Sequence, residues 1–269
     1  MSKQRLDTLM VQRGMAESRN MAQRLIMAGE VLVDGELRWK SSDLILEEAQ
    51  ITIKQKPRYV SRGGEKLEEA LIKFGFQDLS KLICVDMGAS TGGFTDCLLQ
   101  HGAAKVYAVD VGQGILHWKL RQDQRVVVME KTNARFLKPF QDKIDLITID
   151  ASFISAKILL PVARSLLQGD EGDVILLVKP QFEAGRKETA RGNGVIKDPA
   201  IHKKVLEGIL ENAVQNGFFP KGLVPSPLLG PKGNREFLLH LGIKKTGSAK
   251  YSDLLSQIIQ TTEMGSQDK

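Results

Sequence analysis

Four polar residues stand where apolar runs stop: Asp86 after residues 82–85, Asp110 after 106–109, Asp150 after 144–149 and Lys179 after 174–178. Runs this short and rich in branched residues read as buried strands, not helices. If the strands are parallel neighbours, all four side chains converge on the carboxyl edge of one sheet, where such folds bind their ligands. Behind Asp86 comes Gly88-Ala89-Ser90-Thr91-Gly92-Gly93-Phe94. The glycines predict a tight turn into a helix starting at Phe94, capped by Thr91 or Thr95, with free backbone N–H groups facing a ligand.

The departures from known phosphate loops say which ligand. A dinucleotide fingerprint needs glycine at its third position, where Ser90 stands here, and no Gly-Lys-Ser/Thr is present to hold a triphosphate. Asp110 lies twenty-two residues after Gly88, the place of a ribose-binding acid in nucleotide folds. An acidic strand end before the turn favours a cationic, phosphate-free ligand. S-adenosylmethionine, with a ribose, a sulfonium and no phosphate, fits both features.

The elements that must position these groups are an α/β alternation. Helical spacing over 66–76 places Leu67, Ala70, Leu71 and Phe74 on one face. Lys66 falls in that helix's first turn, where a cation opposes the macrodipole, so stability alone does not account for it. A strand at 126–129, a helix at 158–167 and another at 201–216 complete the alternation, which predicts a doubly wound parallel sheet. Residues 183–198 are polar and glycine-rich, as expected of a mobile basic lid over a nucleic-acid substrate or of an ordinary solvated loop. After Pro225, Pro227 and Pro231, Asn234 is expected to turn the chain into a last strand bearing Glu236.

The first sixty residues read as a separate small unit: two short helices, a strand at 31–33 turning at Asp34-Gly35, and a strand at 51–53. Arg5, Arg13, Arg19 and Arg24 punctuate the helices and make a candidate face for a phosphate backbone. Residues 54–64, with Pro57, Gly63 and Gly64 and the basic Lys56, Arg58 and Arg62, look like a joint. A short amphipathic segment at 251–259 and a polar tail end the sequence.

Composition narrows the class. The 269 residues are 42% hydrophobic, enough for a large core, and the net charge of +6 is compatible with a polyanionic partner. Two cysteines and four histidines without ligand spacing predict no metal and no disulfide framework. No apolar run approaches the roughly 18 residues of a membrane span, and the N-terminus is polar, so a soluble cytoplasmic protein is expected.

The N-terminal pattern Arg5-Leu-Asp-x-Leu, Arg13-Gly, Ser18-Arg19, Ala22, Leu25-Ile26, Gly29 and Val31-x-Val33-Asp34-Gly35 resembles the S-four RNA-binding domain. That resemblance implies binding to structured RNA through Arg5, Arg13, Arg19 and Arg24, with Arg62 in the basic joint as a further contact. Residues 59–67, 85–96, 148–154, 178–183 and 233–237 resemble the TlyA family, often labelled hemolysins. The family joins an S-four domain to an FtsJ-like methyltransferase domain. The resemblance implies an S-four-type domain over 1–55, a linker over 56–64, a Rossmann-like methyltransferase domain over 65–245 and a tail over 246–269. It implies 2′-O-methylation of cytidine in ribosomal RNA, with ribosomal subunits as partners, no membrane, and a monomer. The family's catalytic set falls on Lys66, Asp150, Lys179 and Glu236. Its cofactor site falls on Asp86, Gly88, Ala89, Ser90, Thr91, Gly92, Gly93, Phe94, Asp110 and Asn133. A lysine is protonated at neutral pH, so Lys179 takes the ribose proton only if burial or a cation such as Lys66 favours its neutral form. Asp150 is expected to hold Lys179, and Glu236 to position Lys66 or the ribose. The alternatives are a membrane-active hemolysin and a catalytically silent RNA-binding protein.

Overall fold

The structure is a computed structural model that describes residues 2–53 and 58–244, together with 253 and 256. The expected joint residues 54–57, and the segment 251–259 apart from Asp253 and Ser256, lie outside the described residues. The chain divides into two compact units, Met1–Pro57 and Arg58–Lys269.

The first unit runs β1 (Lys3–Arg5), α1 (Leu6–Gln12), α2 (Arg19–Met27), β2 (Val31–Val33), β3 (Glu36–Leu37), β4 (Leu44–Leu46) and β5 (Ile51–Ile53). β2 pairs antiparallel with β3 and β5, and β1 pairs with β4. Three-residue strands such as β1 and β4 are too short to show a period, and neither is visible in the sequence. Ser18 caps α2 as expected, its hydroxyl accepting the Met21 N–H at 3.3 Å. Leu6, Leu9, Met10, Ala22, Ile26 and Val31 form the core.

The second unit opens with α3 (Gly63–Phe74), β6 (Ile83–Met87), α4 (Gly93–Gln100), β7 (Lys105–Val109), α5 (Trp118–Arg121) and β8 (Val126–Met129). β9 (Leu146–Ile149), α6 (Ala156–Leu166) and β10 (Asp173–Val178) follow, then α7 (Pro180–Glu183), α8 (Arg186–Arg191), α9 (Pro199–Gln215), β11 (Phe219–Pro225) and β12 (Phe237–Gly242). One seven-stranded sheet has the order β11-β12-β10-β9-β6-β7-β8. Alternate residues of its strands feed two cores: Val85 and Met87 pack with α6 and α9, while Cys84 packs with α3 and α4.

The sheet is not parallel throughout. β6 to β10 are parallel, but β12 runs antiparallel to both β10 and β11. β11 escaped the sequence reading because Pro220 and Pro225 interrupt it; as an edge strand it tolerates them. α3 starts at Gly63, three residues before the expected Lys66. Tyr59 is buried against Gly64, and the Val60 N–H bonds the Asp96 carboxylate at 2.9 Å, so the residues before α3 are fastened to α4.

The segment expected as an unpacked lid is folded. It contains α8, and its Ile196 is buried. Asn234 supplies the fastening: its Oδ1 accepts the Ile196 N–H at 2.9 Å and its Nδ2 donates to the Gly194 carbonyl at 2.8 Å. Among the described residues, no helix is long and apolar enough to cross a membrane.

Candidate active site

Three neighbouring strands deliver three of the expected residues to one edge. Asp150 follows β9 and Lys179 follows β10, and the parallel register pairs Ile149 with Leu176. β12 runs the other way, and its Phe237 pairs with Val178, so Glu236, just before the strand, joins Lys179 at the same edge. The reversed strand is therefore what brings Glu236 to the rim. Lys66 reaches it from α3.

These four form two ion pairs. Lys66 Nζ lies 2.5 Å from Glu236 Oε2, with the glutamate 1% exposed and the lysine nearly buried. Lys179 Nζ lies 2.5 Å from Asp150 Oδ1 and donates to Ser152 Oγ at 2.9 Å. Gln181 Nε2 donates to the second oxygen of Glu236 at 3.3 Å. Burial pushes the Asp150 carboxyl above its ordinary range, opposed by the ammonium of Lys179. All four line a cavity of about 910 Å³, together with Arg62, Ala89, Thr91, Gly93 and Phe94.

A second cavity of about 530 Å³ shares Gly88, Ser90 and Asp150 with the first and continues to Asp110 and Asn133. Asp110 Oδ2 accepts the Ser90 N–H at 2.9 Å and Oδ1 the Gly112 N–H at 2.7 Å. Each oxygen keeps a lone pair for a hydroxyl donor. A Cβ at Gly112 would lie 3.1 Å from Asp110 Oδ1, and one at Gly88 would lie 2.7 Å from the Asp150 carbonyl. Gly112 thus leaves room beside the Asp110 carboxylate, while Gly88, at φ +88°, lets the turn pack closely on the backbone after β9. Asn133 Oδ1 accepts the Arg135 N–H at 3.0 Å, which fixes the side chain on the cavity wall.

Three expectations are corrected. Asp86 lines neither cavity: it is 0% exposed and accepts hydroxyl protons from Thr95 at 2.7 Å and Thr148 at 3.0 Å. Burial raises its carboxyl to about 7, so it braces the turn from beneath. The cap of α4 is neither threonine but Gly92, at φ +100°, which also lines neither cavity. Finally, four of the turn amides are engaged within the protein. Gly88 and Ala89 bond the Val109 carbonyl, Ser90 bonds Asp110, and Gly92 bonds the Ala89 carbonyl. Amides so engaged are not available to a phosphate.

The first unit treats its arginines differently. Arg5 and Arg19 bond Asp7, and Arg13 bonds the carbonyls of Ala49 and Glu47, while Arg24 is exposed. Sequence reasoning also missed Phe153, 90% exposed and at φ +63°, with Phe182 5.0 Å away between ring centroids. A bulky residue in left-handed backbone has no sequence signature. The only cue was its position three residues after Asp150.

The chain matches the FtsJ-like methyltransferase family over residues 59–243 and the S4 domain over residues 4–51. It is 49% identical over 243 residues to a Bacillus subtilis protein named as an rRNA methyltransferase, YqxC, spanning 89% of this chain and 85% of that one. It is 42% identical over 241 residues to the 16S/23S rRNA (cytidine-2′-O)-methyltransferase TlyA of Mycobacterium tuberculosis, covering 88% and 89%. A solved, hemolysin-named protein from Streptococcus thermophilus superposes with a TM-score of 0.71 at 43% identity, covering all of both chains. The methyl donor of these methyltransferases is S-adenosylmethionine, and the Asp110 cradle suits its ribose. The chain belongs to the TlyA family, in which an S4 domain is joined to an FtsJ-like methyltransferase domain.

Proposed function

We propose that this chain methylates the ribose 2′-hydroxyl of a cytidine in ribosomal RNA, acting in the cytoplasm as a monomer on ribosomal subunits. The observation that carries the reading is the pair of ion pairs, Lys66–Glu236 and Lys179–Asp150, on the wall of a cavity adjoining the Asp110 cradle. The relatives' names supply the substrate class.

Bound S-adenosylmethionine supplies a methyl group activated by a cationic sulfur. The work left to the protein is to orient the hydroxyl and remove its proton. Lys179 stands where it can orient the hydroxyl and steer that proton, with Asp150 and Ser152 fixing its Nζ. Glu236 holds Lys66 against the same cavity, and Gln181 holds Glu236. Asp110 and Asn133 bind the cofactor's nucleoside end. The aromatic faces of Phe153 and Phe182 at the cavity suit stacking on an unpaired base beside the target ribose. In the first unit, Arg5, Arg19 and Arg24 supply phosphate contacts.

The test is incubation of the full chain with methyl-labelled S-adenosylmethionine and ribosomal subunits, followed by nuclease digestion. Label recovered as 2′-O-methylcytidine supports the proposal. Label on a base, or unlabelled RNA together with lysis of lipid vesicles, overturns it.

A further inference from the structure

Asp7 is 0% exposed, yet it is surrounded by cations. Its Oδ1 accepts from Arg5 Nε at 3.0 Å and from the Thr8 hydroxyl at 3.3 Å. Its Oδ2 accepts from Arg5 Nη2 at 2.9 Å, Arg19 Nη2 at 3.2 Å and Gln23 Nε2 at 2.9 Å. Five donors fill the lone pairs of one carboxylate. These hydrogen bonds hold the carboxyl far below its ordinary range.

The two arginines are only anchored there. Their side chains remain 41% and 56% exposed. Arg5 spends Nε and one Nη2 hydrogen on Asp7, and Arg19 spends one Nη2 hydrogen, so most of both forks still faces solvent. Arg5 ends β1 and Arg19 begins α2, so one carboxylate at the start of α1 aligns guanidinium groups from two separate elements. An arginine free to rotate loses rotamer entropy when it grips a phosphate, whereas a pinned one has already lost it.

We propose that Asp7 is a positioning residue that presents Arg5 and Arg19 as one preorganised fork for adjacent RNA phosphates. The proposal rests on the reading of the first unit as the RNA-binding part. It makes a prediction opposite in sign to simple electrostatics. Asp7→Asn deletes a negative charge from an RNA-binding surface, which by charge alone strengthens binding. Loss of the anchor weakens it.

The experiment measures filter binding of the full chain to deproteinised ribosomal RNA over a salt titration, with methylation kinetics on ribosomal subunits alongside. Asp7→Asn should bind on the order of tenfold more weakly, raising KM for RNA and leaving kcat unchanged. The salt slope should fall by about one for each phosphate that is no longer gripped. Arg5→Lys and Arg19→Lys keep the charge but cannot reproduce the fork, and each should also weaken binding several-fold. These two variants decide the matter even if Asp7→Asn does not fold. Unchanged or tighter binding by a folded Asp7→Asn, or by both lysine variants, overturns the inference while leaving RNA binding itself intact. A wild-type chain with no salt-dependent affinity for ribosomal RNA overturns it together with the reading on which it rests.

Discussion

Each unit of the molecule has a carboxylate buried completely, and the two are treated in opposite ways. Asp7 sits among arginines and is held ionised. Asp86 sits among apolar strands and is met by two threonine hydroxyls and the Thr95 backbone N–H but by no cation, so burial raises its carboxyl to about 7. The first unit therefore gathers charge around a single anchor. The second sets its paired charges at the sheet edge, where Lys66, Glu236, Lys179 and Asp150 lie beside a cavity. A buried acid is thus no guide to a reactive site. What marks the site is paired charge beside space for a ligand.

The largest expected effect tests the rim. Lys179→Ala should lower turnover by about 10³-fold while cofactor and RNA affinities stay within a factor of two or so. Single-turnover methylation and calorimetry separate the two; a variant with near wild-type turnover would remove Lys179 from the mechanism.

Next comes the contrast in pH. The folded-state pKa of Asp86 is raised, so between about 4 and 7 the native state holds a proton that the unfolded chain has lost, and stability falls as pH rises across that window. The change is roughly 3–4 kcal/mol, and Asp86→Asn should abolish it. Asp7 works in the other sense: its folded-state pKa is depressed, so its contribution is present above about 4 and is lost as pH falls below that. The units can be followed separately, because Trp39 lies in the first and Trp118 in the second. Urea unfolding from pH 3 to 8 should show stability rising up to about pH 4 in the Trp118→Phe chain, which reports the first unit, and falling from about 4 to 7 in the Trp39→Phe chain, which reports the second. Equal slopes would erase the distinction.

The smallest effect concerns the cradle. Asp110→Ala should weaken S-adenosylmethionine binding by roughly 1.5–3 kcal/mol, the worth of a charge-assisted hydrogen-bond pair. Unchanged affinity in calorimetry would move the ribose elsewhere.

The sequence made some of this legible and hid the rest for identifiable reasons. Asp150 and Lys179 could be seen because each interrupts an apolar run at a strand end, and parallel strands share that edge. The same logic chose Asp86 wrongly. A polar residue at the end of a run can point into the core, and only the hydroxyls of Thr95 and Thr148, met in three dimensions, show that this one does. Glu236 was expected on the last strand, but its place at the rim escaped strand-end reasoning because it precedes a reversed strand, and its role came from the resemblance alone. The arginines of the first unit were recognised as a set, but not that one aspartate two residues from Arg5 organises two of them. The apparent lid was misjudged because a single buried isoleucine and one asparagine side chain suffice to pack a polar segment.

The reversed strand also has a consequence in time. Synthesis delivers Lys66 long before Glu236, 170 residues further along. Asp150 and Lys179 emerge in between, so the first ion pair and the cofactor edge can assemble while the second pair still lacks its acid. Until β12 inserts between β10 and β11, the helix carrying Lys66 holds an ammonium without its partner. A growing chain, tethered to the very class of RNA it is proposed to modify, leaves this rim unfinished until β12 is in place.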